Sequence, residues 1–246
     1  MSKFNLTKFK RDLRNNVITI YRKKGYAIAK LSIDKLIKDS NKKSKELNQP
    51  ELAVQIRGEC CELALELELW EFIRKHKLPW TTSKGLCIKR TDNKRFKTTE
   101  LDLTLFTPSK IILFESKYRK GKITLTDKCT LVPDWGHATD VYKQNIMHLT
   151  NLKDYLSDCI LTLQRGKPFS IVLYVDDTNR VKDLRDDNSK KLMPVISSDN
   201  INSYLESIRK LNTNIWDMKK IKETLTKLDN ESEENMVRHM KEVAKQ

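Results

Sequence analysis

Apolar positions near the start of the chain fall three and four apart: Leu6, Phe9, Leu13, Val17, Ile20 and Tyr21. That spacing predicts a helix with one buried face. Ile28, Leu31, Ile33, Leu36 and Ile37 predict a second helix, and Lys42-Lys43-Ser44-Lys45 behind it predicts an exposed link. The longest helical pattern runs from Glu51 to Lys77, between Pro50, which suits a helix start, and Pro79, which ends it. Leu63, Leu67 and Trp70 form one stripe on it, and Leu65, Leu69 and Ile73 another. A helix apolar over so much of its circumference is expected between layers.

Beyond Pro79 the period changes to two. Leu86-Cys87-Ile88 predicts a short strand, and Thr99 to Phe106 alternates with Leu101, Leu103 and Leu105 on one face. Ile111 to Phe114 is continuously apolar, as in a central strand covered on both sides. Thr107-Pro108-Ser109-Lys110 between the last two is turn chemistry. A helix is predicted over 138–163 through Val141, Ile146, Leu149, Leu152 and Leu156, then a buried strand from Phe169 to Val175. Further helices are predicted from about Asn200 to Leu211 and from Trp216 onward. The order helix, three strands, helix, strand defines a three-layer α/β domain with a mixed four-stranded sheet flanked by helices. The expected division is a basic helical arm at 1–50, a core at 51–195 and C-terminal helices at 196–246.

Charge narrows the function. The 246 residues hold 48 Lys and Arg against 33 Asp and Glu, a net of +15. Residues 1–50 alone hold fourteen basic and four acidic residues, a net of +10. Such an excess points to a polyanionic partner, above all nucleic acid. No stretch approaches the length of an apolar membrane span. The opening residues lack the apolar segment of a signal peptide, and five cysteines with no C-x-x-C pair indicate neither a disulfide framework nor a zinc site. A reducing cytosol is the expected compartment. Walker A and His-Glu-x-x-His patterns are absent from the sequence. Richness in Lys, Asn and Ile hints at an AT-rich genome, such as that of a bacterium, a phage or another virus.

Two apolar strands carry ionisable residues where packing alone calls for none. Asp102 sits between Leu101 and Leu103, and Glu115 and Lys117 end the run from Ile111. A tight hairpin centred on Pro108-Ser109 pairs positions whose numbers sum to 217, which sets Phe106 against Ile111 and Asp102 against Glu115. Opposed carboxylates repel unless one is protonated or a cation lies between them. Period two puts Lys117 on the face of Glu115, with Glu100 opposite it in the same register. Two carboxylates beside an ammonium at the end of a buried sheet are what metal-dependent phosphodiester hydrolysis requires. The carboxylates hold Mg²⁺, the metal neutralises phosphate charge and acidifies water, and the lysine positions that water or stabilises the developing charge. The plain alternative is a surface hairpin laced by salt bridges.

Asp102 followed by Ile111-Ile112-Leu113-Phe114-Glu115-Ser116-Lys117 resembles the PD-(D/E)XK nuclease superfamily, the fold of many restriction endonucleases and Holliday-junction resolvases. The resemblance covers about residues 51–195 and implies a restriction-endonuclease-like αβββαβ core with added N- and C-terminal helices. It implies that Asp102 and Glu115 are ligands of Mg²⁺ or Mn²⁺, that the Ser116 carbonyl completes the shell, and that Lys117 assists the attacking water. Gly58-Glu59 with Glu62 resembles the first-helix acid of the superfamily, notably in nuclease-related (NERD) domains. Glu59 continues the Leu63 stripe and Glu62 the Leu65 stripe; both stay open, with Glu66 a third candidate. Ordinary helix-surface glutamates are the alternative for most of Glu62, Glu66, Glu68 and Glu71. Gln144 with His148 four residues on resembles the Gln-x3-Tyr motif of RecB-like nucleases, with His in place of Tyr. The proline that often precedes the first acid is here Leu101.

Arg90, Lys94, Arg95 and Lys97 before the Asp102 strand, and Tyr118, Arg119, Lys120 and Lys122 after Lys117, would border the site and contact phosphates. Trp80 and Trp135 are expected in packing rather than stacked on bases, and Cys60-Cys61 in packing rather than as nucleophiles. The expected function is Mg²⁺-dependent cleavage of DNA by an endonuclease, with DNA and, as an option, a second copy of the chain as partners. The alternatives are a basic nucleic-acid-binding protein with an inactive nuclease-like site, and an RNA-processing nuclease on the same fold.

Overall fold

The computed structural model describes residues 6–90, 98–117, 121–134, 137–162 and 168–243. The chain divides into two compact units, residues 1–71 and 72–246.

The first unit is helical. Helices α1 (Leu6–Lys24) and α2 (Tyr26–Glu46) join at Gly25, whose φ of +83° lies in the left-handed region that glycine enters without steric cost. Helix α3 (Leu52–His76) contributes its residues up to Glu71. Leu13 and Val17 of α1, Ala29 and Ile33 of α2, and Leu52, Ile56, Cys60, Leu63 and Leu67 of α3 form one buried cluster. The basic N-terminal segment is therefore built into a three-helix core. Lys42–Lys45, expected as an exposed link, continue α2: Ser44 is buried and its hydroxyl donates to the Gln49 carbonyl at 2.6 Å. The helical turn satisfies backbone groups that a loop would leave to water.

The second unit carries the strands. Its main sheet contains β1 (Thr81–Lys89), β2 (Thr98–Phe106), β3 (Ile111–Lys117), β7 (Phe169–Val175) and β9 (Val195–Ile196), in the spatial order β1-β2-β3-β7-β9. The first three are antiparallel, while β7 runs parallel to β3 and β9 parallel to β7. The order of helix, three strands, helix and strand holds, and β9 makes the expected four strands five. A second sheet, in the order β6-β5-β4-β8, was not foreseen; it is built from β4 (Ile123–Leu125), β5 (Thr130–Pro133), β6 (Thr139–Asp140) and β8 (Val181–Asp183). Strands of two to four residues are too short to display a period.

Helix α4 (Val141–Tyr155) is shorter than the predicted span. Residues 139–140 are drawn into β6, and the Asp140 carboxylate caps the helix by accepting from the Lys143 amide at 2.9 Å. Val141, Asn145, His148, Leu149 and Leu152 are its buried face, whereas Ile146, expected inside, is 42% exposed. Helices α5 (Asp187–Leu192) and α6 (Ile201–Arg209) precede α7 (Met218–Val243), which packs against β1 and β2. Its Ser232 hydroxyl accepts from the Cys87 amide at 3.0 Å, and the Asn235 amide donates to the Cys87 carbonyl at 3.2 Å. The C-terminal tail thereby covers an edge strand whose backbone would otherwise invite another chain.

Candidate active site

The β2–β3 hairpin sets the site. Its observed pairs are Phe106 with Ile111, Leu105 with Ile112, Thr104 with Leu113 and Leu103 with Phe114, the register anticipated from the turn. Thr107, which opens that turn, closes it through its backbone and hydroxyl bonds with Lys110. Asp102 and Glu115 follow directly on the last pair. Even positions of β2 oppose odd positions of β3, so alternation gives Asp102, Glu115 and Lys117 one face of the sheet. On the other side of β2, the pairing with β1 skips the position opposite Asp102, where Gly85 stands with φ +65°. Asp102 is half-buried, while Glu115 is only 1% exposed.

A buried carboxylate is costly unless its oxygens are partnered. Glu115 has two partners of different kind. The Lys117 ammonium, two residues on along the same strand, forms an ion pair with its Oε1. The Asn145 side-chain amide of α4 donates to its Oε2 at 2.9 Å and to the Val141 carbonyl at 2.8 Å. His148, one turn further along α4, is 5% exposed. Burial pushes its imidazole pKa below the ordinary value; Glu115 opposes that shift, while the charges of Lys117 and Arg90 add to it. His148 is therefore a neutral imidazole at neutral pH.

The α4 residue that reaches the carboxylate is thus Asn145, the neighbour of the anticipated Gln144, which is half-buried on the same helix. A signal for Asn145 was present: it stands four residues from both Val141 and Leu149, a polar position within an apolar row of the buried face. Glu100 pairs through its backbone with Cys87, and the ion pair of Lys117 is with Glu115.

The first-helix acids Glu59 and Glu62 belong to the helical unit. Glu59 is buried, with the Lys10 ammonium at 4.0 Å; Glu62 is half-buried. Glu66 and Glu68 are not surface residues as expected but 2% and 7% exposed. Arg14 grips both oxygens of Glu66, at 2.6 and 3.3 Å, and Lys30 and Tyr26 hold Glu68. Of the basic residues proposed to border the site, Arg90 is half-buried at the end of β1 and Lys122 is exposed before β4. Lys94, Arg95, Lys97, Arg119 and Lys120, with Tyr118 and Trp135, lie outside the described residues. Trp80 is buried and stacked on Phe72, with ring centroids 5.9 Å apart. Cys60 is buried in the helical core and Cys61 is buried as well.

Among the described residues, no group of three or more His, Cys, Asp or Glu side chains is placed to hold a metal ion. Asp102, Glu115 and the main-chain carbonyl of Ser116 would offer a cation oxygen atoms only. An all-oxygen set of this kind suits a hard cation.

Residues 61–175 match the family model of the nuclease-related domain, NERD. That stretch contains Asp102, Glu115, Ser116, Lys117, Gln144, Asn145 and His148, and it bears out the resemblance drawn from the strand motif. Curated proteins yield no match. Among solved structures, protein VC1899 from Vibrio cholerae aligns at 15% identity with a TM-score of 0.37, over 84% of this chain and 57% of that one. The chain thus spans little more than half the length of that protein. No helix among the described residues is long and apolar enough to cross a membrane.

Proposed function

We propose that the protein is a metal-dependent nuclease that hydrolyses phosphodiester bonds in DNA as an endonuclease. The observation that carries this reading is the buried Glu115–Lys117 pair directly beyond the β2–β3 ladder, within the nuclease-related stretch. Asp102, Glu115 and the Ser116 carbonyl would hold Mg²⁺ or Mn²⁺. When bound, such a cation supplies neutralisation of phosphate charge and a lowered pKa for water. The Lys117 ammonium, paired with Glu115, orients water and stabilises charge that develops on the phosphate. Arg90, Lys122 and the basic residues of α1 and α2 supply phosphate contacts, which fix the position of the backbone but carry no sequence information.

The test is incubation of the full chain with plasmid, linear and branched DNA, and with RNA, in Mg²⁺ or Mn²⁺. Cleavage by wild type and none by Asp102→Ala is the expected result. Lys117→Ala should keep metal and DNA affinity while its turnover falls, because the lysine acts in the transition state. Cleavage of every substrate by Asp102→Ala at the wild-type rate would refute the proposal; cleavage of RNA alone would move the function to RNA processing.

A further inference from the structure

Asn145 has no role in the strand motif, yet it is as buried as the carboxylate it touches: both residues are 1% exposed. Its amide nitrogen spends both hydrogens, one on the Val141 carbonyl a turn earlier at 2.8 Å and one on Glu115 Oε2 at 2.9 Å. Both partners are acceptors, so only the nitrogen of the amide fits there and its orientation is settled by chemistry. The two oxygens of Glu115 consequently differ. Oε2 is turned towards α4 and tied to a helix, while Oε1 is turned towards the Lys117 ammonium. A second cation in place of Asn145 would neutralise the carboxylate and compete with a metal. An apolar residue would leave Oε2 buried without a donor. A neutral amide avoids both.

Resting on the metal-site reading above, we propose that Asn145 is a positioning residue that makes Glu115 a one-oxygen ligand. Oε2 is held back by the amide, so a cation meets the carboxylate through Oε1, beside the Lys117 ammonium. This arrangement selects small octahedral ions such as Mg²⁺ and Mn²⁺. Ca²⁺ is larger, takes more oxygens and accepts a two-oxygen carboxylate readily.

The test is calorimetric titration of the full chain with MnCl₂ and, separately, CaCl₂, for wild type, Asn145→Leu and Asn145→Gln. Removing an outer hydrogen-bond partner of a metal ligand typically weakens the metal about tenfold to a hundredfold. Asn145→Leu should therefore bind Mn²⁺ about tenfold more weakly, and Ca²⁺ with a smaller loss, so that the Mn²⁺-to-Ca²⁺ affinity ratio drops. A merely structural role for Asn145 would lower both affinities together. Asn145→Gln, which keeps the amide, should restore Mn²⁺ binding to within about threefold. A Leu variant with the wild-type far-ultraviolet spectrum and an unchanged affinity ratio overturns the assignment. Should the Leu variant not fold, Asn145→Ser replaces it: its hydroxyl stops short of Glu115, so affinity equal to that of Asn145→Gln overturns the assignment too. Absence of Mn²⁺ binding by wild type overturns the metal-site reading itself, whereas binding by wild type with indifferent variants overturns only the role of Asn145.

Discussion

Glu66 in the helical unit and Glu115 in the strand unit are buried to almost the same degree, at 2% and 1% exposure. Their partners differ. Glu66 receives both fork nitrogens of Arg14 from a different helix, an arrangement that satisfies the carboxylate and ties α1 to α3. Glu115 receives one neutral amide and the ammonium of its own strand. The Lys117 pair adds no long-range tie, because both residues already belong to β3. Burial of an acid therefore does not mark a functional site. A carboxylate closed by a two-pronged arginine is a fastener; on the proposed reading, one held by a neutral donor and a lysine of its own strand has a cation as its further partner.

That contrast breaks most sharply at Glu115 itself. Glu115→Gln keeps the shape and loses the charge, so DNA cleavage should fall about a thousandfold, the equivalent of about 4 kcal/mol of lost charge stabilisation. Thermal stability should fall as well, because the new amide nitrogen faces a donor, either Lys117 or Asn145, so cleavage is compared per folded molecule. A Gln variant that still cuts in a Mg²⁺ assay would show Glu115 to be a fastener like Glu66.

The strand unit has a fastener of its own. The Arg185 side chain is fully buried and holds Asp183 at 2.7 and 2.8 Å, with further bonds to the Met193 and Ser189 carbonyls. Burial pushes the Asp183 carboxyl up, but the hydrogen bonds and charge of Arg185 outweigh it, and the net shift is downward. A carboxyl depressed in the folded state adds stability above its ordinary value near 4, and that stability is lost as pH falls below it. Asp183→Asn leaves a buried guanidinium uncompensated and should cost about 3 kcal/mol at neutral pH. It should also flatten the acid limb of a denaturation series; an unchanged limb would exclude Asp183 as its source.

Glu66→Ala should cost less, about 1–2 kcal/mol, because Arg14 is part-exposed and can turn to water. Its cleavage per folded molecule should equal wild type, which is the mirror image of Glu115→Gln. The smallest effect is expected on the exposed run Arg22, Lys23 and Lys24 at the end of α1. Alanine at all three should leave folding and turnover intact. The slope of log affinity for DNA against log salt should flatten by about 0.9 for each phosphate that is no longer neutralised. An unchanged slope would remove this face from the DNA-binding surface. Removing the whole segment is a different experiment, because it would uncover Ile56, Cys60, Leu63 and Leu67.

The sequence by itself determined the order of the long elements, the hairpin register and the alignment of Asp102, Glu115 and Lys117. Each depends on local periodicity and on a turn of known length, which are properties of neighbouring residues. Asn145 was half-legible, as a polar interruption of an apolar stripe, but nothing in the chain said which carboxylate it would meet thirty positions away. Only the tertiary structure decided that Glu66 and Glu68 are buried and clasped by Arg14, Lys30 and Tyr26, that the basic segment shares a core with α3, and that α7 seals β1. The short second sheet was equally hidden. These features join residues far apart in the chain, and their free energy comes from removing charge and apolar surface from water together. Such a term depends on three-dimensional neighbours and leaves no period in the sequence.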